Sequence, residues 1–86
     1  MTLRSELTVV VTRDDITAGE RESERECPIA LAAMRVVQRG VLVNSLLSVP
    51  GEGEYWLPPE ALDFISLFDD GCPVEPFTFV AVLRGA

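Results

Sequence analysis

Apolar positions along this chain recur with two periods, and the period changes element by element. Residues 6–12 (Glu-Leu-Thr-Val-Val-Val-Thr) form a β-branched run that predicts a strand. From Thr12 the chain predicts a compact helical turn, capped by Thr12 with Asp15 three residues on, as in a capping box. Gly19 is expected to supply a left-handed exit, and Ile16 to be the one residue this turn tucks into the core. Residues 20–26 hold no apolar side chain, which predicts a solvated, mobile loop.

A helix is expected to begin at Pro28, behind Cys27, run to about Arg39 and stop at Gly40. Its apolar face is Ile29, Ala33, Val36 and Val37, and its many alanines imply close backbone approach to a neighbouring element. Val41 to Val49 reads as a second strand, apolar on both faces around Asn44 and Ser45. Residues 50–53 carry turn chemistry and Glu54 to Leu57 returns as a short strand, so 41–57 predicts a hairpin. Pro58-Pro59 then opens a second helix. Ala61, Phe64, Ile65 and Phe68 recur at helical spacing, Glu60, Asp63, Ser66 and Asp69 face water, and Asp70-Gly71 ends the element.

After a proline-containing spacer, Phe77 to Leu83 forms the last predicted strand. Phe77, Phe79 and Ala81 take one face, and Thr78, Val80 and Val82 the other. Both faces are largely apolar, which implies a strand covered twice, by helices on one side and by a partner on the other. The expected fold is α+β: two helices packed on a mainly antiparallel four-stranded sheet, in the order strand, turn, helix, strand, strand, helix, strand. The whole chain, residues 1–86, is expected to form a single small domain.

Charge narrows the partners. The net charge is −7, and all seven cations are arginines, with no lysine or histidine. Binding to nucleic acid rests on a basic footprint, so direct contact with a DNA or RNA backbone is not expected. An anionic membrane surface is disfavoured for the same reason, whereas a basic protein surface is compatible. No segment reads as a signal core or a membrane span, which makes the cytoplasm the expected location. A domain this short buries only about 60–65% of its unfolded surface. The apolar surplus on the strands at 41–49 and 77–83 therefore predicts a homo-oligomer, a dimer in the simplest case.

Candidate chemistry is sparse. Cys27 precedes a helix start, where a thiol can become nucleophilic, but the chain offers no histidine base and Glu26 opposes ionisation. Cys27 and Cys72 alone fall two ligands short of a structural zinc site, and outside a secretory context both are expected to stay reduced. Asp14-Asp15 and Asp69-Asp70 are assigned to helix ends. No catalytic residue, metal or cofactor is expected, and the chain is not read as an enzyme. Tyr55 and Trp56 point to opposite faces if extended, so one can anchor the core while the other meets a partner. Arg35 and Arg39 lie one turn apart near a helix C-terminus, where they complement the dipole or clamp an anionic ligand. The structural landmarks are Thr12, Asp15, Gly19, Cys27, Pro28, Gly40 and Gly71.

The order of these landmarks resembles a loose group of short, uncharacterised proteins of tailed bacteriophages and prophages. It is carried by Thr12-Arg13-Asp14-Asp15-Ile16 with Gly19, by Cys27-Pro28-Ile29-Ala30-Leu31-Ala32, and by Pro73-Val74-Glu75-Pro76-Phe77-Thr78-Phe79. The resemblance runs from about residue 7 to residue 83 and transfers no functional residue. It implies a small phage product at work in a bacterial cytoplasm. The expected function is then a non-enzymatic acidic protein that binds and modulates a host protein, in host takeover or counter-defence. The alternative is an oligomer that sequesters a small anionic ligand such as a nucleotide, with arginines supplying the cation and Tyr55 or Trp56 stacking.

Overall fold

The computed structural model describes residues 5–84. Its elements run β1 (Glu6–Val11), α1 (Arg13–Ala18), α2 (Pro28–Val37), β2 (Leu42–Val43), β3 (Leu46–Val49), β4 (Gly53–Trp56), α3 (Pro59–Asp69) and β5 (Phe77–Leu83). The strands form one curled antiparallel sheet in the order β1-β5-β4-β3-β2. The α+β class matches expectation, but the count does not. Three helices and five strands replace the expected two and four.

The fifth strand arises because Val41–Val49 is not one strand. The Asn44 side-chain oxygen accepts from the Leu46 N–H at 3.1 Å, and the Asn44 N–H donates to the Leu46 carbonyl at 3.0 Å. That local exchange reverses the chain and pairs Val43 with Leu47, so the run splits into two short neighbouring strands. The third helix is the expected turn at 12–18, long enough to count as α1.

Alternation places Leu7, Val9 and Val11 of β1 on the inner face beside Phe79 and Ala81 of β5. Leu47 and Val49 of β3, Tyr55 of β4 and Leu57 continue this face, and all are buried. α2 lies over β1, and Ile29, Ala30, Ala32 and Ala33 vanish from solvent because alanine lets the helix backbone approach the sheet. α3 closes the other end with Ala61 and Phe64. Its Phe64 ring sits 4.9 Å from Phe77, which in turn stacks 5.5 Å from Phe79.

Two predicted glycine roles change. α2 ends at Val37, and Gln38 (φ 57°) takes the left-handed position expected of Gly40, its N–H donating to the Met34 carbonyl at 2.7 Å. Val37 and Val41 are both buried, so the chain must turn back between them, before Gly40 is reached. Gly19 has φ −70°, not a left-handed value. Its role is proximity: a Cβ there would stand 2.6 Å from Pro28 Cδ and 2.8 Å from the Asp15 carbonyl oxygen. Gly71 (φ 80°) does end α3 as expected.

α1 buries Asp15 more deeply than Ile16, contrary to expectation. The loop at 20–26 is solvated but tethered: the Val43 N–H donates to the Glu24 carbonyl at 2.8 Å, and the Glu22 N–H to Asp69 Oδ1 at 2.8 Å. Backbone polar groups supply the anchorage that the missing apolar residues cannot.

Candidate functional site

Each predicted site arginine is engaged by the fold. The Asp15 carboxylate accepts from Arg35 through both oxygens, from the Thr12 N–H at 2.8 Å and from the Thr12 hydroxyl at 3.0 Å. Burial pushes the Asp15 carboxyl up, but the Arg35 and Thr12 hydrogen bonds and the Arg35 charge together outweigh it and hold the group below its usual range. The Asp15 hydrogen bond raises Arg35 in return. Arg35 also donates to the Val10 carbonyl at 2.9 Å. One guanidinium therefore joins α2, α1 and the rim of β1.

Arg39 instead reaches across to the β3–β4 turn, donating to the Pro50 carbonyl at 2.8 Å beside Glu52 at 3.7 Å. The two arginines are not brought together as an anion clamp. Arg21 lies against Gly71 and Arg13 bonds Glu75 at 2.9 Å, so these cations too brace loops.

Cys27 caps α2 with sulfur: the Ala30 N–H donates to its Sγ at 3.4 Å. Burial pushes this thiol's pKa up, and Asp69 adds to the rise against partial relief from the Ala30 and Ile29 amides. The thiol is kept protonated and inward-facing, which suits a cap and not a nucleophile. Cys72 is exposed, and both cysteines are free. Among the described residues no group of three or more His, Cys, Asp or Glu could hold a metal ion. Among those same residues, no helix is long and apolar enough to cross a membrane.

Tyr55 and Trp56 separate as adjacent strand residues must. Tyr55 is the largest fully buried side chain, whereas Trp56 is 53% exposed on the opposite face. Around Trp56 the outer face of the sheet is an open apolar stripe. It runs from Val10 through Val80 and Val82 to Trp56, with the three valines 42–50% exposed. Leu46 extends it from β3. Arg84 lies 5.5 Å from the Trp56 ring centroid and pairs with Glu54 at 2.8 Å.

A second surface was not foreseen from the pattern of the chain. Between α3 and the 73–77 segment lies a shallow groove of about 420 Å³. Phe64, Leu67, Val74 and Phe77 form its floor, and Glu60, Asp63 and Glu75 its rim. Leu67 is 46% exposed. Arg13 pairs with Glu75, while Glu60 and Asp63 have no ion-pair partner among the described residues. The helical spacing of Glu60, Asp63 and Leu67 was visible in the sequence. Their meeting with Val74 and Phe77 depends on how the spacer folds back, which Arg13 fixes by also donating to the Val74 carbonyl at 3.3 Å.

Comparison with family models, with curated proteins and with solved structures returned no match.

Proposed function

We propose that this chain is a non-enzymatic acidic protein that binds and modulates a host protein, a phage-type product acting in a bacterial cytoplasm. The observation that carries the reading is the groove beside α3, with its aromatic and aliphatic floor and, on its rim, the carboxylates of Glu60 and Asp63, which have no ion-pair partner among the described residues. An apolar floor under negative charge is complementary to a segment that alternates basic and apolar side chains. The net charge of −7 adds long-range attraction toward such a partner. Nucleotide sequestration has less support, because Arg35 and Arg39 are held by Asp15, Val10, Pro50 and Glu52.

Affinity purification from host lysate provides the test, with the wild type compared to a Leu67→Lys/Asp63→Lys variant. The expected result is one host protein retained in stoichiometric amount, lost in the variant, and displaced from the wild type by an amphipathic lysine–leucine peptide. Absence of a stoichiometric protein, or retention unaltered by the variant, would sink the reading.

A further inference from the structure

We infer that the outer face of the sheet is the interface of a homodimer, in which two copies stack sheet on sheet. The sheet has one helical layer, on its inner side only. On its other side the register brings Val10 opposite Thr78, Thr8 opposite Val80, and Trp56 opposite Val82. Small β-branched residues interleaved with one large aromatic make a surface that packs well against another pleated sheet, at about 10 Å separation.

Charge selects the occupant. The chain carries 14 carboxylate side chains, yet the outward-facing positions of β1, β3, β4 and β5 include only Glu6 and Glu54. Glu54 is already paired with Arg84. A basic partner would gain little here and is drawn to the acidic side instead. A second copy, itself strongly acidic, can approach closely only through a face that lacks that charge. Among the described residues, this face is an apolar stripe that meets the condition while continuing across several strands.

Area agrees. The strands run from two to seven residues, so at about 3.3 Å per residue and about 4.8 Å spacing the five-stranded face covers about 350–400 Å² in flat projection. The corrugated accessible surface is larger but stays at or below the roughly 600 Å² per partner at the lower end of specific interfaces, the size of a weak, concentration-dependent dimer. Lateral pairing through β1 is the competing geometry, and it is obstructed. The Leu83 N–H bonds the Ser5 carbonyl, so odd-numbered residues of β1 face β5 and Glu6, Thr8 and Val10 present their backbone to the rim. Arg35 already occupies the Val10 carbonyl there. At the far rim, β2 is two residues long.

Trp56 is the sole tryptophan, so its emission reports directly on this face. Sedimentation equilibrium of the wild type, run alongside fluorescence over a dilution series, is expected to show a dimer. Its dissociation should shift Trp56 emission to the red and raise quenching by acrylamide. Val80→Arg and Val10→Arg should each weaken the dimer by about 100-fold or more, with native circular dichroism retained. Leu62→Arg, on α3, should leave the dimer intact. A wild type that stays monomeric at about 100 µM, Trp56 emission independent of concentration, or a dimer that survives both arginine variants would overturn the inference. Loss of the dimer in Leu62→Arg would do the same, by placing the contact on the helical side.

Discussion

The two faces of the sheet are built from the same kinds of residue and differ in what covers them. Inside, Leu7, Val9, Leu47 and Tyr55 lie under helices and are at most 1% exposed. Outside, Val10, Val80, Val82 and Trp56 stand open. Adjacent residues such as Tyr55 and Trp56 thus end on opposite sides: one fills the folded core, the other stands on the open face. The difference shows that apolar content alone does not identify a core; what decides is the side on which the helices dock.

The sharpest way to break this comparison is to truncate each member of the aromatic pair. Tyr55→Ala should cost about 3–5 kcal/mol in urea unfolding, because it empties a fully buried site. Trp56→Ala should cost the monomer about 1 kcal/mol or less. Equal losses would mean that the faces are not energetically distinct.

The anchorage of the covering layer can be tested through Asp15. Asp15→Asn should destabilise by about 2 kcal/mol at neutral pH, since it strips charge from a buried carboxylate held by Arg35 and Thr12. The folded-state pKa of Asp15 lies below its unfolded value. Its contribution is therefore complete above the unfolded pKa of about 4 and is lost as pH falls through the folded value. Unfolding curves at neutral and strongly acidic pH should show the gap between wild type and variant closing in acid.

Smaller effects sharpen the picture of how closely that layer is fitted. Gly19→Ala should cost about 1–2 kcal/mol, because the added methyl meets Pro28 and the Asp15 carbonyl. Gln38→Gly should raise the thermal midpoint slightly, a gain of about 0.5 kcal/mol from relieving the left-handed backbone at φ 57°. A null result for Gly19→Ala would show that the α1–α2 junction is looser than the inner face it covers.

Much of the architecture was legible from residues whose local chemistry admits one solution. Thr12 with Asp15 made a capping box, Pro28 opened a helix, Gly71 closed one, and the alternation in 77–83 gave a strand. The break at Asn44 was missed because the apolar residues on either side of Asn44-Ser45 read as one strand, although that polar pair was itself the turn signal. Gly40 misled because the need to bury both Val37 and Val41 overrode local preference. Asp15 was recognised as a cap, yet its union with Arg35 joins residues 20 apart and depends on how α1 and α2 meet. Trp56 was half legible: strand geometry said that one of the Tyr55-Trp56 pair must face out, and only packing chose which. The groove at α3 was the least readable, since its walls come from segments brought together by Arg13.

The sulfur cap at Cys27 has a practical corollary. A thiol that is buried, protonated and engaged with a helix start gives alkylating reagents no foothold, while Cys72 lies open beyond the end of α3. Maleimide chemistry on the native chain should accordingly deliver one dye per molecule, attached at Cys72. The protein comes with its own built-in handle for a single, position-defined label.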